Sequence, residues 1–250
     1  MHKGLFVTAT DTEVGKTFIT GAIAAALKGR GLGVGVVKPV ASGGVVTAGG
    51  KLVAEDATFL MAAAGLGEDR RQAVNPVCLA PALTPAVAAA TSGVTIHTAQ
   101  LENACRTMLA ESEFTLIEGV GGITAPIWQE YLVADMMLAL ALPAIIVTRP
   151  NLGTINHTVL TAAYAQQRGI KLAGIIINRW DEARVTVLER SNLAYIEQLT
   201  GLPVLGKFPP VGIVRQGRQA MDQLGQLAER HLAMDQLIHL MTGGSDHAPC

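Results

Sequence analysis

The sequence predicts a doubly wound α/β fold, with a mostly parallel sheet and helices on both of its faces. Short apolar runs rich in β-branched residues alternate with longer helix-like segments along the 250 residues. Runs such as 144–147 and 174–177 are apolar without polar alternation, which is typical of parallel strands buried on both faces. The helix-like segments are rich in alanine, a strong helix former that lets a helix lie close to a sheet.

Each element follows from its local pattern. The first strand is predicted at 5–9, directly before a loop that closes with Gly-Lys-Thr at the start of a helix, and the further strands follow at 33–38, 114–118, 144–148, 172–178 and 203–206. The predicted helices lie between and after these runs, at 17–30, 55–64, 98–111, 131–141, 154–168, 184–200 and 218–241. Without a repeat or a long linker, we expect one domain over residues 1–242 and a frayed tail over 243–250.

Composition excludes several classes of protein. The chain carries 19 Lys+Arg against 20 Asp+Glu, and this balance argues against nucleic-acid binding, which needs a basic surface. With 50% apolar residues, disorder is not expected. The longest apolar run, 136–147, is shorter than the ~20 residues that cross a membrane, and no signal-peptide pattern precedes the first strand. Cys78, Cys105 and Cys250 form no metal or disulfide pattern, which favours a reducing cytoplasm.

The strongest chemical signal is the segment from Ala9 to Thr17, which follows the first strand. A loop that ends in Gly-Lys-Thr at a helix start is typical of a phosphate-binding loop, so the predicted fold is P-loop NTPase-like. Lys16 would reach the β/γ-phosphate oxygens, and the Thr17 hydroxyl would ligate Mg²⁺. Thr10 stands where the strict pattern has its first glycine. The alternative interpretation is an ordinary strand–turn–helix corner.

Three further positions lie at predicted strand ends or helix starts near this loop. Lys38 ends the second strand in Lys-Pro-Val-Ala-Ser-Gly, and ligands of doubly wound sheets bind at the carboxyl ends of the strands. Glu118 ends an apolar strand before a glycine-rich loop, as in a Walker B segment, and Asp56 is a second candidate carboxylate for Mg²⁺. The alternatives are a solvated lysine, a surface glutamate and a helix N-terminal acid.

Asn178 ends the predicted strand 172–178, where its amide group would read an adenine edge. A strand-end asparagine is also a common turn former. The sequence has no recognisable Ser-His-Asp or Cys-His arrangement. We therefore expect phosphate chemistry without a protein nucleophile.

Five segments together resemble the dethiobiotin synthetase family. They are TATDTEVGKT at 8–17, KPVASG at 38–43, EGVGG at 118–122, NLGTINH at 151–157 and GKFP at 206–209. Their order and spacing cover residues 4–210, and the pair TDTEVGKT and KPVASG is highly specific.

The resemblance implies an ATP-dependent cyclo-ligase of biotin synthesis. Such enzymes use CO₂, ATP and Mg²⁺ to close a ureido ring on 7,8-diaminopelargonic acid (7,8-diaminononanoate), through a carbamate and a carbamic–phosphoric anhydride. It also implies a homodimer with the active site at the subunit interface, and neither nucleic-acid nor membrane partners are expected.

The resemblance also implies roles for individual residues. Lys16 and Lys38 would be catalytic, and the metal would be held by Thr17, Asp56 and Glu118. ATP would be bound by Thr12, Glu13, Val14, Gly15, Lys16, Thr17, Phe18, Glu118, Gly121, Asn178, Phe208, Pro209 and Pro210. The diamine would be bound by Thr12, Lys38, Ser42, Gly153, Thr154, Ile155, Asn156 and Asn192.

Two departures and two alternatives accompany the resemblance. Ala9 replaces the usual glycine before TDTEVGKT, and Ala86 stands where a histidine commonly follows the proline. A partner-regulated switch ATPase of the partitioning type is the alternative, but such proteins carry a lysine where this chain has Asp11. A cobyrinate-type amidotransferase would need a glutaminase domain, for which residues 210–250 are too few.

Overall fold

The structure is a computed structural model that describes residues 3–212 and 217–243. Strands and helices are numbered separately in chain order. The strands are β1 Gly4–Ala9, β2 Val34–Val37, β3 Val40–Ser42, β4 Val45–Val46, β5 Leu52–Val53, β6 Val77–Leu79, β7 Phe114–Glu118, β8 Pro126–Trp128, β9 Tyr131–Leu132, β10 Ala144–Thr148, β11 Leu172–Asn178 and β12 Val204–Phe208. The helices are α1 Lys16–Gly29, α2 Glu55–Ala64, α3 Arg71–Val74, α4 Pro85–Thr91, α5 Thr98–Glu111, α6 Val133–Leu140, α7 Thr154–Gln167, α8 Val187–Thr200, α9 Arg218–His231 and α10 Met234–Met241, with a 3₁₀ turn at Glu68–Arg70.

The predicted doubly wound architecture is confirmed by a six-stranded sheet in the order β12-β11-β10-β1-β7-β2. Every neighbouring pair in this sheet is parallel. All residues of the three central strands, β10, β1 and β7, are buried, so helices cover the sheet on both faces. All six predicted strands are present.

The helices form separate groups around the sheet. Helix α1 packs against α2 and α9, whereas α5 packs against α6, and α7 packs against α8. The largest apolar core cluster includes Phe6, Ile19 and Leu116. A second cluster lies between α7, α8 and the sheet, around Ile146, Ala162 and Ile196. Because these clusters hold the strands in place, the strand ends fix the positions at which the loops of the carboxyl edge begin.

Two predicted helices begin later than expected. Tyr131 and Leu132 belong to β9, which pairs with β8 across a turn in which Gln129 has φ +49°. The helix predicted at 131–141 is therefore α6, which begins at Val133. Helix α8 begins at Val187 because Thr186 caps it and Glu189 bonds back to the Thr186 amide. The predicted start at residue 184 was therefore wrong.

The predicted helix 218–241 is two helices. The chain bends between α9 and α10, where Leu232 forms an antiparallel bridge with Gly206 of β12. The Ala233 amide donates to the Leu205 carbonyl at 2.7 Å. These bonds to the outer strand interrupt the helix. The short elements α3, α4, β3–β6, β8 and β9 were not predicted.

Two other expectations bear on the fold. None of the helices in the described ranges is long and apolar enough to cross a membrane. Cys78 and Cys105 are free thiols. Residues 244–250, which include Cys250, make up most of the predicted tail and lie outside the described residues.

Candidate active site

The phosphate loop connects the end of β1 to the start of α1. Ala9 and Thr10 are not among the residues with positive φ, so neither position requires a glycine. Gly15 is different, because its φ is +96° and a Cβ there would lie 2.1 Å from Nδ2 of Asn178. Both the backbone conformation and the nearby Asn178 side chain therefore require a glycine at position 15.

Residues at the end of β11 hold the loop from the side. The Asn178 amide donates to the Val14 carbonyl at 2.8 Å, and Asn178 is only 4% exposed. The Arg179 guanidinium donates to the Glu13 carbonyl at 3.1 Å. Asn178 thus supports the phosphate loop, and its reading of an adenine edge stays a prediction.

The start of α1 is an uncapped helix N-terminus. Within the described residues no side chain caps it, and its first turn contains no acidic residue. Its free N–H groups and the helix dipole favour an anion at this end. Lys16 is 7% exposed, and its Nζ donates to the Asp11 carbonyl at 3.2 Å. Burial, together with repulsion by Lys38, lowers the pKa of Lys16 to about 8.

A cluster of charged groups lies beside the loop. The Lys38 Nζ lies 2.5 Å from Oε1 of Glu118 and 3.1 Å from Oδ2 of Asp56. It also donates to the Gly119 carbonyl at 3.0 Å. The Thr17 hydroxyl donates to the same Glu118 oxygen at 2.8 Å. One lysine is therefore shared by two carboxylates that belong to different elements, α2 and β7.

Burial and charge compete within this cluster. Burial alone would lower the pKa of Lys38, but Glu118 and Asp56 outweigh it and the pKa is raised. Burial would raise the pKa of Asp56, but Lys38 outweighs it and that pKa is lowered. Lys38 therefore stays charged in the ligand-free protein and is neutralised by its carboxylate partners.

The second oxygen of Glu118 distinguishes this residue from a structural ion pair. Glu118 is fully buried, and its Oε2 has no hydrogen-bond partner among the described residues. A buried oxygen without a partner is costly. No group of three His, Cys, Asp or Glu residues that could hold a metal occurs in the described ranges. One or two carboxylates, a hydroxyl and ligand phosphates are nevertheless a usual Mg²⁺ environment, which Glu118, Asp56 and Thr17 fit.

These groups line one cavity of about 290 Å³. It brings together ten of the predicted site residues: Thr12, Glu13, Gly15, Lys16, Thr17, Lys38, Ser42, Asp56, Glu118 and Gly121. A second cavity of about 660 Å³ shares Thr12, Ser42, Val120 and Gly121 with the first. Its other walls include residues 82–85 and 124–126. The phosphate loop thus opens onto a space large enough for a second ligand.

Several predicted nucleotide-binding residues lie outside these cavities. The Val14 side chain is fully buried. The Phe18 ring stacks on Phe59 at 6.0 Å and meets the ring of fully buried Phe208 edge-on at 5.6 Å. Pro209 and Pro210 line a separate cavity of about 420 Å³. The structure therefore places Phe18 and Phe208 in packing roles.

The predicted carboxylate-binding segment, residues 153–156, begins α7. The N-cap Gly153 has φ +90°, no described side chain caps the helix, and its first turn has no acidic residue. Asn192 lies behind this segment, 3% exposed, and its amide donates to the Pro150 carbonyl at 2.8 Å. Asn192 therefore holds the loop before α7, and its contact with the diamine stays a prediction.

Two parts of the site were missed by the sequence reasoning. Asn75 donates to the Lys38 carbonyl at 2.7 Å and to the Val77 carbonyl at 3.0 Å, which fixes the end of β2. Thr124, Ala125 and Pro126 wall the larger cavity. Asn75 carries no motif, and residues 124–126 are positioned by the β8–β9 hairpin and by backbone bonds of Ala125 to Gly122 and Val133.

A phosphate loop, a lysine–carboxylate cluster and a parallel sheet define a P-loop ATP-dependent protein. The family model described as "AAA domain" matches residues 3–217. An ATP-dependent dethiobiotin synthetase BioD from Bacillus licheniformis is 41% identical over 83% of this chain and 86% of its own. A protein of the same name from Bacillus cereus is 34% identical over 98% of this chain and 97% of its own. Another from Methanococcus vannielii is 35% identical over 89% of this chain and 98% of its own. The chain belongs to the ATP-dependent dethiobiotin synthetase family.

Solved structures with a similar fold are more distant in sequence. The septum site-determining protein MinD with Mg-ADP from Pyrococcus horikoshii aligns over 99% of this chain and 98% of its own, with a TM-score of 0.55 and 18% identity. A ParA family ATPase from Chlorobium tepidum aligns over 96% of this chain and 98% of its own, with a TM-score of 0.56 and 16% identity. At these identities the likeness shows the fold alone.

Proposed function

We propose that the protein uses ATP to carboxylate 7,8-diaminononanoate with CO₂ and to close the ureido ring of dethiobiotin. Membership of the dethiobiotin synthetase family supports the reaction. The observation that carries the proposal for this chain is the convergence of Lys16, Lys38 and Glu118 on one cavity that opens into a larger one.

The reaction has three steps. An amine of the substrate adds to CO₂ and gives a carbamate with release of a proton. A carbamate oxygen then attacks the γ-phosphorus of ATP, and ADP leaves. The second amine attacks the carbonyl carbon of the mixed anhydride and loses a proton, the ureido ring closes, and phosphate leaves.

The chain contributes positioning and charge to these steps. The N–H groups at the start of α1 and the Lys16 ammonium bind the phosphates, where negative charge moves during transfer. Lys38 lines the same cavity. With Asp56 and Glu118 holding Mg²⁺, its ammonium group would neutralise the carbamate and the transferring phosphoryl group. A carbamate is already nucleophilic, so holding it in line with the phosphorus is sufficient and no strong protein base is required.

Thr17, Asp56 and Glu118 would hold Mg²⁺. The unpartnered Oε2 of Glu118 among the described residues supports this assignment. Magnesium would supply charge neutralisation on the phosphate oxygens of the nucleotide. Ser42, which faces both cavities, would contact the diamine or its carbamate.

The decisive experiment measures phosphate release by the purified protein with ATP, Mg²⁺ and bicarbonate. We expect release to depend on diaminononanoate and to be matched by formation of the cyclic urea, identified by its mass. Lys38→Met should lower turnover strongly, whereas Lys51→Met, at an exposed lysine, serves as the matched control. Phosphate release that ignores the diamine but responds to DNA or lipid vesicles would replace this proposal by the switch ATPase.

We further propose a homodimer that pairs through α7 and α8. These helices expose Leu160, Leu188 and Leu199 at 60%, 44% and 55%, and Leu152 before α7 is 81% exposed. Several exposed apolar side chains on two helices that pack against each other are typical of an interface. This group of exposed side chains adjoins the start of α7, which lies outside the phosphate cavity. The start of α7 would bind the carboxylate of the diamine that occupies the active site of the partner subunit.

Sedimentation velocity tests the dimer. The wild-type protein should sediment as a dimer, and Leu160→Glu should shift it to monomer with loss of diamine turnover. Val46→Glu, at a residue that is 68% exposed on β4, is the control and should leave the dimer intact. A monomeric wild type with full turnover contradicts the proposed interface.

A further inference from the structure

A cluster of threonine hydroxyls joins three elements at the carboxyl edge of the sheet. The hydroxyl oxygen of Thr148, at the end of β10, lies 2.9 Å from that of Thr154 and 3.0 Å from that of Thr158, both on α7. It also lies 3.3 Å from the hydroxyl of Thr10, directly after β1. Thr148 and Thr158 are fully buried, and Thr154 is 3% exposed.

Thr148 is the centre of this cluster. A hydroxyl group donates one hydrogen bond and accepts two. Three neighbouring hydroxyls therefore use the full capacity of Thr148, whereas Thr154 and Thr158 contact each other only at 3.5 Å. Valine has nearly the same shape but would lose all three contacts at once.

The position of the cluster links two segments that have separate roles in the proposed function, the phosphate loop and the start of α7. Thr10 begins the phosphate loop, and its amide donates to the Val147 carbonyl at 3.1 Å. Thr154 is the first residue of α7, directly after the exposed Gly153. Thr148 thus ties the first turn of α7 to the strand end from which the phosphate loop departs.

Packing alone does not call for hydroxyls here. The same face of β10 continues into the apolar cluster with Ile146, and α7 continues into it with Ala162. A buried hydroxyl costs free energy unless it is fully bonded, whereas an apolar side chain would fill the same space. Directional bonds, unlike apolar packing, fix the rotation and height of the first helical turn.

We propose that Thr148 is a positioning residue that sets the start of α7 for the carboxylate of the substrate. This proposal rests on the proposed function, in which the N–H groups of residues 153–156 bind that carboxylate. Thr148 does not touch the substrate in this view. It acts through Thr154 and Thr158.

The test compares Thr148→Val, Thr148→Ser and the control Thr161→Val. Thr161 is also buried on α7 but lies outside the cluster. We expect Thr148→Val to raise the KM for diaminononanoate about tenfold. This is the effect of losing about one net hydrogen bond between the start of α7 and the substrate carboxylate. The KM for ATP should change less than about twofold. Thr148→Ser should restore the wild-type KM, and Thr161→Val should keep it.

The outcomes separate this proposal from the proposed function. A wild type without diamine-dependent phosphate release refutes the function itself. An active wild type in which Thr148→Val loses thermal stability but keeps its KM for the diamine refutes only the role of Thr148. An equal rise in both KM values also refutes it. Should Thr148→Val fail to fold, Thr158→Val removes one of the three contacts of Thr148 together with the longer contact to Thr154. An unchanged KM for the diamine in that variant then overturns the proposal.

Discussion

Nucleotide binding should pull a proton onto Lys16. In the ligand-free protein, burial and the neighbouring Lys38 lower the pKa of Lys16 to about 8. A bound triphosphate brings negative charge next to the ammonium group, which favours the protonated form. The pKa of Lys16 should therefore rise well above 8 on binding.

The size of the effect follows from the starting pKa. At a pKa of about 8, the Lys16 amine is about half protonated at pH 8 and about nine-tenths protonated at pH 7. Full protonation in the complex then requires uptake of about 0.5 proton at pH 8 and about 0.1 at pH 7. A larger proton uptake at pH 8 than at pH 7 would identify a group with a pKa of about 8, as Lys16 has.

Isothermal titration calorimetry measures this uptake. A non-hydrolysable ATP analogue is titrated at both pH values in buffers of different ionisation enthalpy, and the slope of the binding enthalpy gives the number of protons. Lys16→Arg is the control, because a guanidinium stays protonated throughout. The same slope in wild type and Lys16→Arg at pH 8 would refute the assignment of the proton to Lys16.

Four further predictions concern stability and the loop. At pH 7, Lys16→Met should raise the free energy of unfolding by about 1–3 kcal/mol, because the pKa of Lys16 is lowered and its charged form is disfavoured in the fold. Lys38→Met should lower it by about 3–5 kcal/mol, because Glu118 is left buried without its cation; urea denaturation distinguishes the two signs. Thr8→Val should be neutral or stabilising by about 1 kcal/mol, since the buried Thr8 hydroxyl has no partner among the described residues; a loss above ~1 kcal/mol in thermal unfolding contradicts this. Gly15→Ala should abolish binding of a fluorescent ATP analogue while the protein stays folded, and wild-type affinity would refute the proposed steric need for glycine.

The strands were predictable because buried parallel strands leave a strong local signal. The runs 144–147 and 174–177 contain no polar residue, so the positions of β10 and β11 followed to within a few residues. Helix starts were harder, because the residues of β9 carry the same apolar character as α6. Only the pairing of Tyr131 with Trp128 decides between strand and helix there.

The convergence of the site depends on topology as well as on motifs. Lys38 and Glu118 end adjacent parallel strands, so they had to meet at the same edge of the sheet. The contact of Asn178 with Val14 could not be anticipated, because it joins residues 164 positions apart through the order of the strands. The threonine cluster around Thr148 has no local pattern at all.

The bridge between Gly206 and Leu232 has a consequence for how the protein avoids self-association. Strand β12 is an outer strand of the sheet, and an outer strand offers unpaired N–H and C=O groups to other chains. The segment between α9 and α10 bonds to part of that edge at Leu205 and Gly206. The segment between α9 and α10 therefore protects this part of the edge from intermolecular strand addition, and removing the two helices should produce aggregates rich in β-structure.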